Sequence, residues 1–113
     1  MPKFMLFIRG GDPDSNFSPE EMQAIIQKYV NWAGRLRESG KLVESEKLCD
    51  DGRVLSVKSG KIVDGPFTET KEAVGGYFTV EAADYAEACK IARECPVLER
   101  DGMVEVRKLD FQD

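Results

Sequence analysis

Phe4-Met5-Leu6-Phe7-Ile8 is apolar at five consecutive positions. Side chains alternate sides along a β-strand, so a strand built from this run needs cover on both faces and suits the middle of a sheet. Arg9-Gly10-Gly11 ends it. Any fold the chain adopts must therefore enclose this strand from above and below. At 113 residues there is room for one packed core, and a single domain over residues 1–113 is expected.

Beyond that strand the chain alternates between two hydrophobic periods. Asp12-Pro13-Asp14-Ser15-Asn16 has turn chemistry, and Ser18-Pro19-Glu20-Glu21 supplies an N-cap serine, a proline at the first helical position and a glutamate at N3. Met22, Ile25, Ile26, Tyr29, Ala33 and Leu36 then recur at helical spacing as one buried stripe, with Trp32 at its edge, packing there or meeting another subunit; Gly40 suits the stop. Lys41 to Leu48 reads as a second strand. Asp50-Asp51-Gly52 turns the chain into Arg53–Lys58, and Ser59-Gly60 between that run and Lys61-Ile62-Val63 predicts a hairpin. Gly75 to Glu81 alternates again, with Gly76, Phe78 and Val80 on one side and Gly75, Tyr77, Thr79 and Glu81 on the other. Asp84 and Glu87 suggest a second capping box. Tyr85, Ala88, Cys89 and Ala92 give the next helix a small-residue face, Cys95-Pro96 ends it, and Met103–Leu109 forms a last strand before a frayed tail, Asp110 to Asp113.

This order is an α+β, ferredoxin-like split βαβ plan with an inserted β-hairpin and helices on one sheet face. The other face still holds half of the first strand's apolar side chains. A homodimer through sheet faces would bury them, since a large exposed apolar patch is rarely left uncovered.

Between the hairpin and the glycine-rich strand lies the densest stretch of chemistry, Asp64-Gly65-Pro66-Phe67-Thr68-Glu69-Thr70-Lys71-Glu72. Proline stiffens the corner and aims Phe67, leaving Asp64 at a strand end. Two roles fit Asp64: a proton-transfer or hydrogen-bonding group, or a turn former bonded to its own backbone. Glu69 and Lys71 either join Arg9 and Tyr77 in a polar pocket or belong to a solvated charged face. Gly75-Gly76 permits close approach of backbone or ligand, or marks a bulge; it matches no phosphate-loop or dinucleotide fingerprint, and no cofactor is expected.

A net charge of −5 without a basic run argues against nucleic acid as a partner. No apolar stretch approaches the roughly 20 residues of a spanning helix, and the amino-terminal run breaks too early for a signal peptide, so no membrane partner and a cytoplasmic location are expected. Cys49, Cys89 and Cys95 form no metal-binding pattern and read as reduced, mostly buried thiols. Complete absence of histidine removes Ser-His and Cys-His nucleophile activation.

The stretch from Asp64 to Glu72, continued by Gly75-Gly76-Tyr77-Phe78, resembles the signature of the DGPF-domain proteins in the YCII-related group. Met5-Leu6-Phe7-Ile8, Ser18-Pro19-Glu20-Glu21-Met22 and Val104-Glu105-Val106-Arg107 are similar to that family as well. The resemblance implies a single YCII-related (DGPF) domain, a dimeric α+β barrel of ferredoxin-like subunits and a mostly unassigned activity, with some members linked to extracytoplasmic-function sigma factors. For the wider group it implies a His and Asp pair in a cleft. Asp64 answers to the acidic member, but this chain has no histidine, so that acid-base pair is excluded and enzymatic activity stays an open question.

Two functions are compatible with these residues. One is a binding or catalytic module for a small molecule, anionic compounds included, with Asp64 as the candidate catalytic group and Arg9, Asp64, Gly65, Pro66, Phe67, Glu69, Lys71 and Tyr77 lining the pocket. The other is a non-catalytic accessory or regulatory protein, in which the signature serves folding and dimerisation.

Overall fold

The computed structural model describes residues 1–11, 17–49, 51–66 and 73–110. The expected turn over 12–16, Asp50, Phe67, Glu69, Lys71 and the tail from 111 lie outside them. The elements are β1 (Lys3–Arg9), α1 (Pro19–Glu38), β2 (Leu42–Lys47), β3 (Leu55–Lys58), β4 (Lys61–Asp64), β5 (Val74–Glu81), α2 (Tyr85–Ala92), a 3-10 turn (Pro96–Arg100) and β6 (Met103–Lys108). Four strands make an antiparallel sheet in the order β2-β5-β1-β6, with β1 in the interior as its sequence requires. The fold is the α+β split βαβ plan with an inserted hairpin, the subunit architecture of the dimeric α+β barrel class.

Phe4, Leu6 and Ile8 of β1 join Phe78 and Val80 of β5 on the face covered by the helices, where Leu36 of α1 and Ala88, Ile91 and Ala92 of α2 complete the core. Trp32 belongs in this core and not at its edge. It is 1% exposed and stacks on Phe78 with ring centroids 4.5 Å apart. The buried face of α1 runs through Ile25, Tyr29, Trp32 and Leu36, rotated from the expected stripe, so Met22 and Ile26 point outward with Val30. The largest apolar side chain is drawn into the core because burial is favourable in proportion to area.

Helix ends obey their local chemistry. Glu21 N–H donates to Ser18 Oγ and Ser18 N–H donates to Glu21 Oε1, both at 3.1 Å, which completes the capping box. At the other end Gly40, at φ +74°, lets Gly40 N–H reach Arg37 O and Lys41 N–H reach Leu36 O. The α2 cap is only half of the expected box. Glu87 N–H donates to Asp84 Oδ1 at 2.9 Å, while the Glu87 carboxylate pairs with Lys41 Nζ at 3.3 Å.

The glycine pair separates into two roles. A Cβ on Gly76 would lie 2.9 Å from the Glu46 carbonyl oxygen, so β2 approaches β5 too closely for a side chain. Gly76 pairs with Ile8 and Val74 with Arg9, which leaves Gly75 as the extra residue of a bulge.

β3 and β4 form a separate two-stranded sheet. Ser59 and Gly60 both have positive φ, 51° and 77°, the two-residue turn whose twist matches antiparallel strands. Of the three free cysteines Cys95 is buried, Cys89 is half-buried and Cys49 is exposed, so the expectation of mostly buried thiols fails at Cys49, in the segment joining β2 to the hairpin. Among the described residues no helix is long and apolar enough to cross a membrane.

Candidate functional site

Strand alternation sends Met5, Phe7 and Arg9 to the sheet face opposite the helices. The registers place Tyr77 and Glu105 on either side of Phe7, Thr79 and Arg107 on either side of Met5, and Glu44 and Glu46 beside Thr79 and Tyr77. No described element packs extensively over this face. Met5, Phe7 and Tyr77 are nevertheless only half-exposed, and Thr79 is buried.

Polar groups flank the apolar centre on both sides. Toward β6, Arg9 donates from Nη2 at 2.9 Å and from Nε at 3.2 Å to Glu105 Oε1, and Arg107 Nη1 donates to Glu105 Oε2 at 3.2 Å. One carboxylate is thus held between two guanidinium groups. Hydrogen bonds from Arg107 and then Arg9 hold the Glu105 carboxyl below its usual range. Toward β2, Tyr77 Oη donates to Glu44 Oε1 at 2.7 Å, and that bond to a carboxylate raises the phenol's pKa. The face therefore grades from two guanidinium groups sharing one carboxylate at β1 and β6, through Phe7 and Tyr77, to the carboxylates of Glu44 and Glu46 at β2. Such a surface can bind a flat apolar ring carrying an anionic or hydroxyl edge: the guanidinium groups donate to the edge, and the aromatics and Met5 contact the ring.

Of the residues expected to form the pocket, Arg9 and Tyr77 share this face. Asp64, Gly65 and Pro66 lie at the base of the hairpin. The Asp64 side chain is 57% exposed, its Oδ2 4.0 Å from Arg53 Nε. The corner is closed by backbone, with Gly65 N–H donating to Val54 O at 2.7 Å. Glu44, Glu105 and Arg107 are site residues that sequence reasoning missed. Alternation in Met103–Leu109 puts Glu105 and Arg107 on one side of a strand, but their meeting with Arg9 depends on a pairing across 96 residues.

Two hollows lie on the helical side, away from this face. One of about 200 Å³ is lined by Cys89, Ala92, Arg93, Leu98, Val104 and Val106. The other, of about 450 Å³, runs between α1 and the 3-10 turn and includes Lys28, Arg35, Arg93 and Glu99.

Comparison with known proteins adds three findings. The profile of the YCII-related domain matches residues 3–111. An uncharacterized protein of Rhizobium meliloti (strain 1021) is 33% identical over 76 residues, taking in 66% of this chain and 57% of that relative, so the matched region spans just over half the relative's length. The solved 5-chloro-2-hydroxyhydroquinone dehydrochlorinase of Burkholderia phenoliruptrix AC1100, in complex with 2,5-dihydroxybenzoquinone, aligns with a TM-score of 0.50 at 18% identity, over 97% of this chain and 95% of that one. At that identity the likeness is one of fold.

Proposed function

The chain belongs to the family of YCII-related domains, and from that premise we propose that it binds a small hydroxylated or anionic ring compound on the open sheet face, inside a homodimer whose two sheets face each other. The observation that carries this reading is the arrangement around Phe7: a half-exposed aromatic and apolar centre with the Arg9–Glu105–Arg107 cluster on one side and the Tyr77–Glu44 pair on the other. Apposition of two such faces would bury Met5 and Phe7 and exclude water from the charged groups, which strengthens their hold on a ligand. Binding of a dihydroxybenzoquinone by a protein of similar fold supports the ligand class.

The DGPF-type signature belongs to the same reading. Asp64, Gly65, Pro66, Phe67, Glu69 and Lys71 are assigned to the pocket rim, with Asp64 as hydrogen-bond or proton acceptor, and the location is cytoplasmic. The reading makes the protein a binding module, with turnover requiring a proton acceptor other than histidine. Exposed apolar side chains on the β3–β4 hairpin favour a second reading, an accessory protein that docks a macromolecule.

Calorimetric titration with 2,5-dihydroxybenzoquinone and hydroxylated benzoates separates the two. Binding to the wild type should weaken about tenfold or more in Arg107→Gln, the loss of one charge-assisted hydrogen bond of about 1.5 kcal/mol. No heat of binding from any compound of this class overturns the small-molecule reading.

A further inference from the structure

The larger hollow on the helical side gathers cations that the open face does not use. It measures about 450 Å³, a size within the range of small-molecule clefts. Lys28, Asn31 and Arg35 line it from α1, and Arg93 lines it from the C-cap of α2. Positions 28, 31 and 35 are three and four residues apart, so helical spacing sets them in one row along the α1 wall.

These groups differ in how far they are already engaged. Lys28 Nζ donates to Glu99 Oε2 at 3.1 Å. Asn31 Oδ1 accepts from Gln27 Nε2 at 2.9 Å, which leaves the Asn31 Nδ2 hydrogens unused. Neither Arg35 nor Arg93 donates a side-chain hydrogen bond or forms an ion pair among the described residues. Glu94 also lines the hollow and pairs with none of these cations, so Lys28, Arg35 and Arg93 against Glu94 and Glu99 give the lining a net +1. Helix dipoles favour a cation near a C-terminus, which accounts for Arg35 and Arg93 one at a time. It does not account for two unengaged guanidinium groups and an unused amide sharing one hollow in a chain of net −5.

Two guanidinium forks and an amide offer donors from two walls. A carboxylate presents two oxygens in one plane, whereas a phosphate monoester presents three terminal oxygens in different directions and carries a charge of about −1.5 to −2 at pH 7. Pro96 and Leu98 add apolar surface beside the donors, which suits an organic group better than a bare ion. We propose that the hollow between α1 and the 3-10 turn is a second ligand site, and that it takes a small organic phosphate monoester whose phosphate is held by Arg35, Arg93 and Asn31. The site lies away from the open sheet face, so both can be filled at once, and it stands whether or not the open face binds a ring compound.

Amide chemical-shift titration of the isotope-labelled chain with phenyl phosphate, benzoate and inorganic phosphate tests the assignment. Saturable shifts at Asn31, Arg35, Arg93 and Leu98 are expected, with phenyl phosphate bound more tightly than either of the other two. Arg35 and Arg93 are exposed, so glutamine at either leaves the core intact; Arg35→Gln and Arg93→Gln should each weaken phenyl phosphate about tenfold or more. Arg107→Gln, on the open face, should leave that affinity unchanged. Benzoate bound as tightly as phenyl phosphate overturns the choice of phosphate, and inorganic phosphate bound as tightly overturns the organic group. The site itself is overturned if phenyl phosphate produces no saturable shift at these four residues, or if its binding is lost in Arg107→Gln and kept in both other variants.

Discussion

Replacing Trp32 tests the packing that gives the open face its shape, because Trp32 braces β5 through Phe78 from the opposite side of the sheet. The indole is 1% exposed and lies 4.5 Å from the Phe78 ring and 6.5 Å from Tyr29. A ring system of this kind buries roughly 200 Å², which at about 25 cal/mol per Å² corresponds to about 5 kcal/mol. Trp32→Ala should accordingly cost about 3–5 kcal/mol, a large part of a small domain's stability. Trp32→Phe should behave differently. The Trp32 Nε1–H group is buried without a hydrogen-bond partner among the described residues, and an unsatisfied buried donor costs about 1–3 kcal/mol. Phenylalanine keeps a ring on Phe78 and removes that donor, and the gain offsets the lost area, leaving the variant within about 1 kcal/mol of wild type. Urea unfolding monitored by circular dichroism reads both changes without using the fluorescence of the residue removed. A Phe variant as unstable as the Ala variant would refute the reasoning, because the buried donor would then carry no cost.

Other predictions concern the same sheet. The Glu105 carboxyl is held low by Arg107 and Arg9, so it contributes stability above the unfolded-state pKa and loses it as pH falls through the folded value; Glu105→Gln should flatten the acid limb of a stability–pH curve. Tyr29 is pushed up to about 12, chiefly by burial, so its contribution is present below the usual tyrosine value and is lost as pH rises toward about 12. In Tyr29→Phe, alkaline unfolding between those limits should be weaker. Gly76→Ala should cost about 1–3 kcal/mol by forcing β2 away from β5, whereas Gly75→Ala, whose nearest added contact is 3.9 Å, should cost less in the same urea assay.

Much of the fold is readable because it is written in local chemistry. The Ser18–Glu21 cap, the Ser59-Gly60 turn and the five-residue apolar run of β1 each specify their element almost alone. Trp32 escapes such a reading because helical periodicity counts apolar positions and not the area each buries. Met22, Ile26 and Val30 form a second apolar row on α1, and only the sheet below decides which row faces inward. Arg9 and Tyr77 can be assigned to the site from alternation along their strands. Glu105 cannot, since its role as the shared acceptor of Arg9 and Arg107 arises from strand pairing. Asp64 stands out in the sequence, but its surroundings depend on a hairpin that packs little on its own subunit.

The central claim is that the open sheet face is the surface two copies share and the ligand occupies. Hydroxyl-radical footprinting across a dilution series tests it most directly, since Met5, Phe7 and Tyr77 on that face and Met22 on the outer side of α1 can be tracked in one experiment. The account predicts that Met5, Phe7 and Tyr77 become protected as concentration rises while Met22 keeps its reactivity. Protection confined to Met22, or none at Met5 and Phe7 at any concentration, would contradict it.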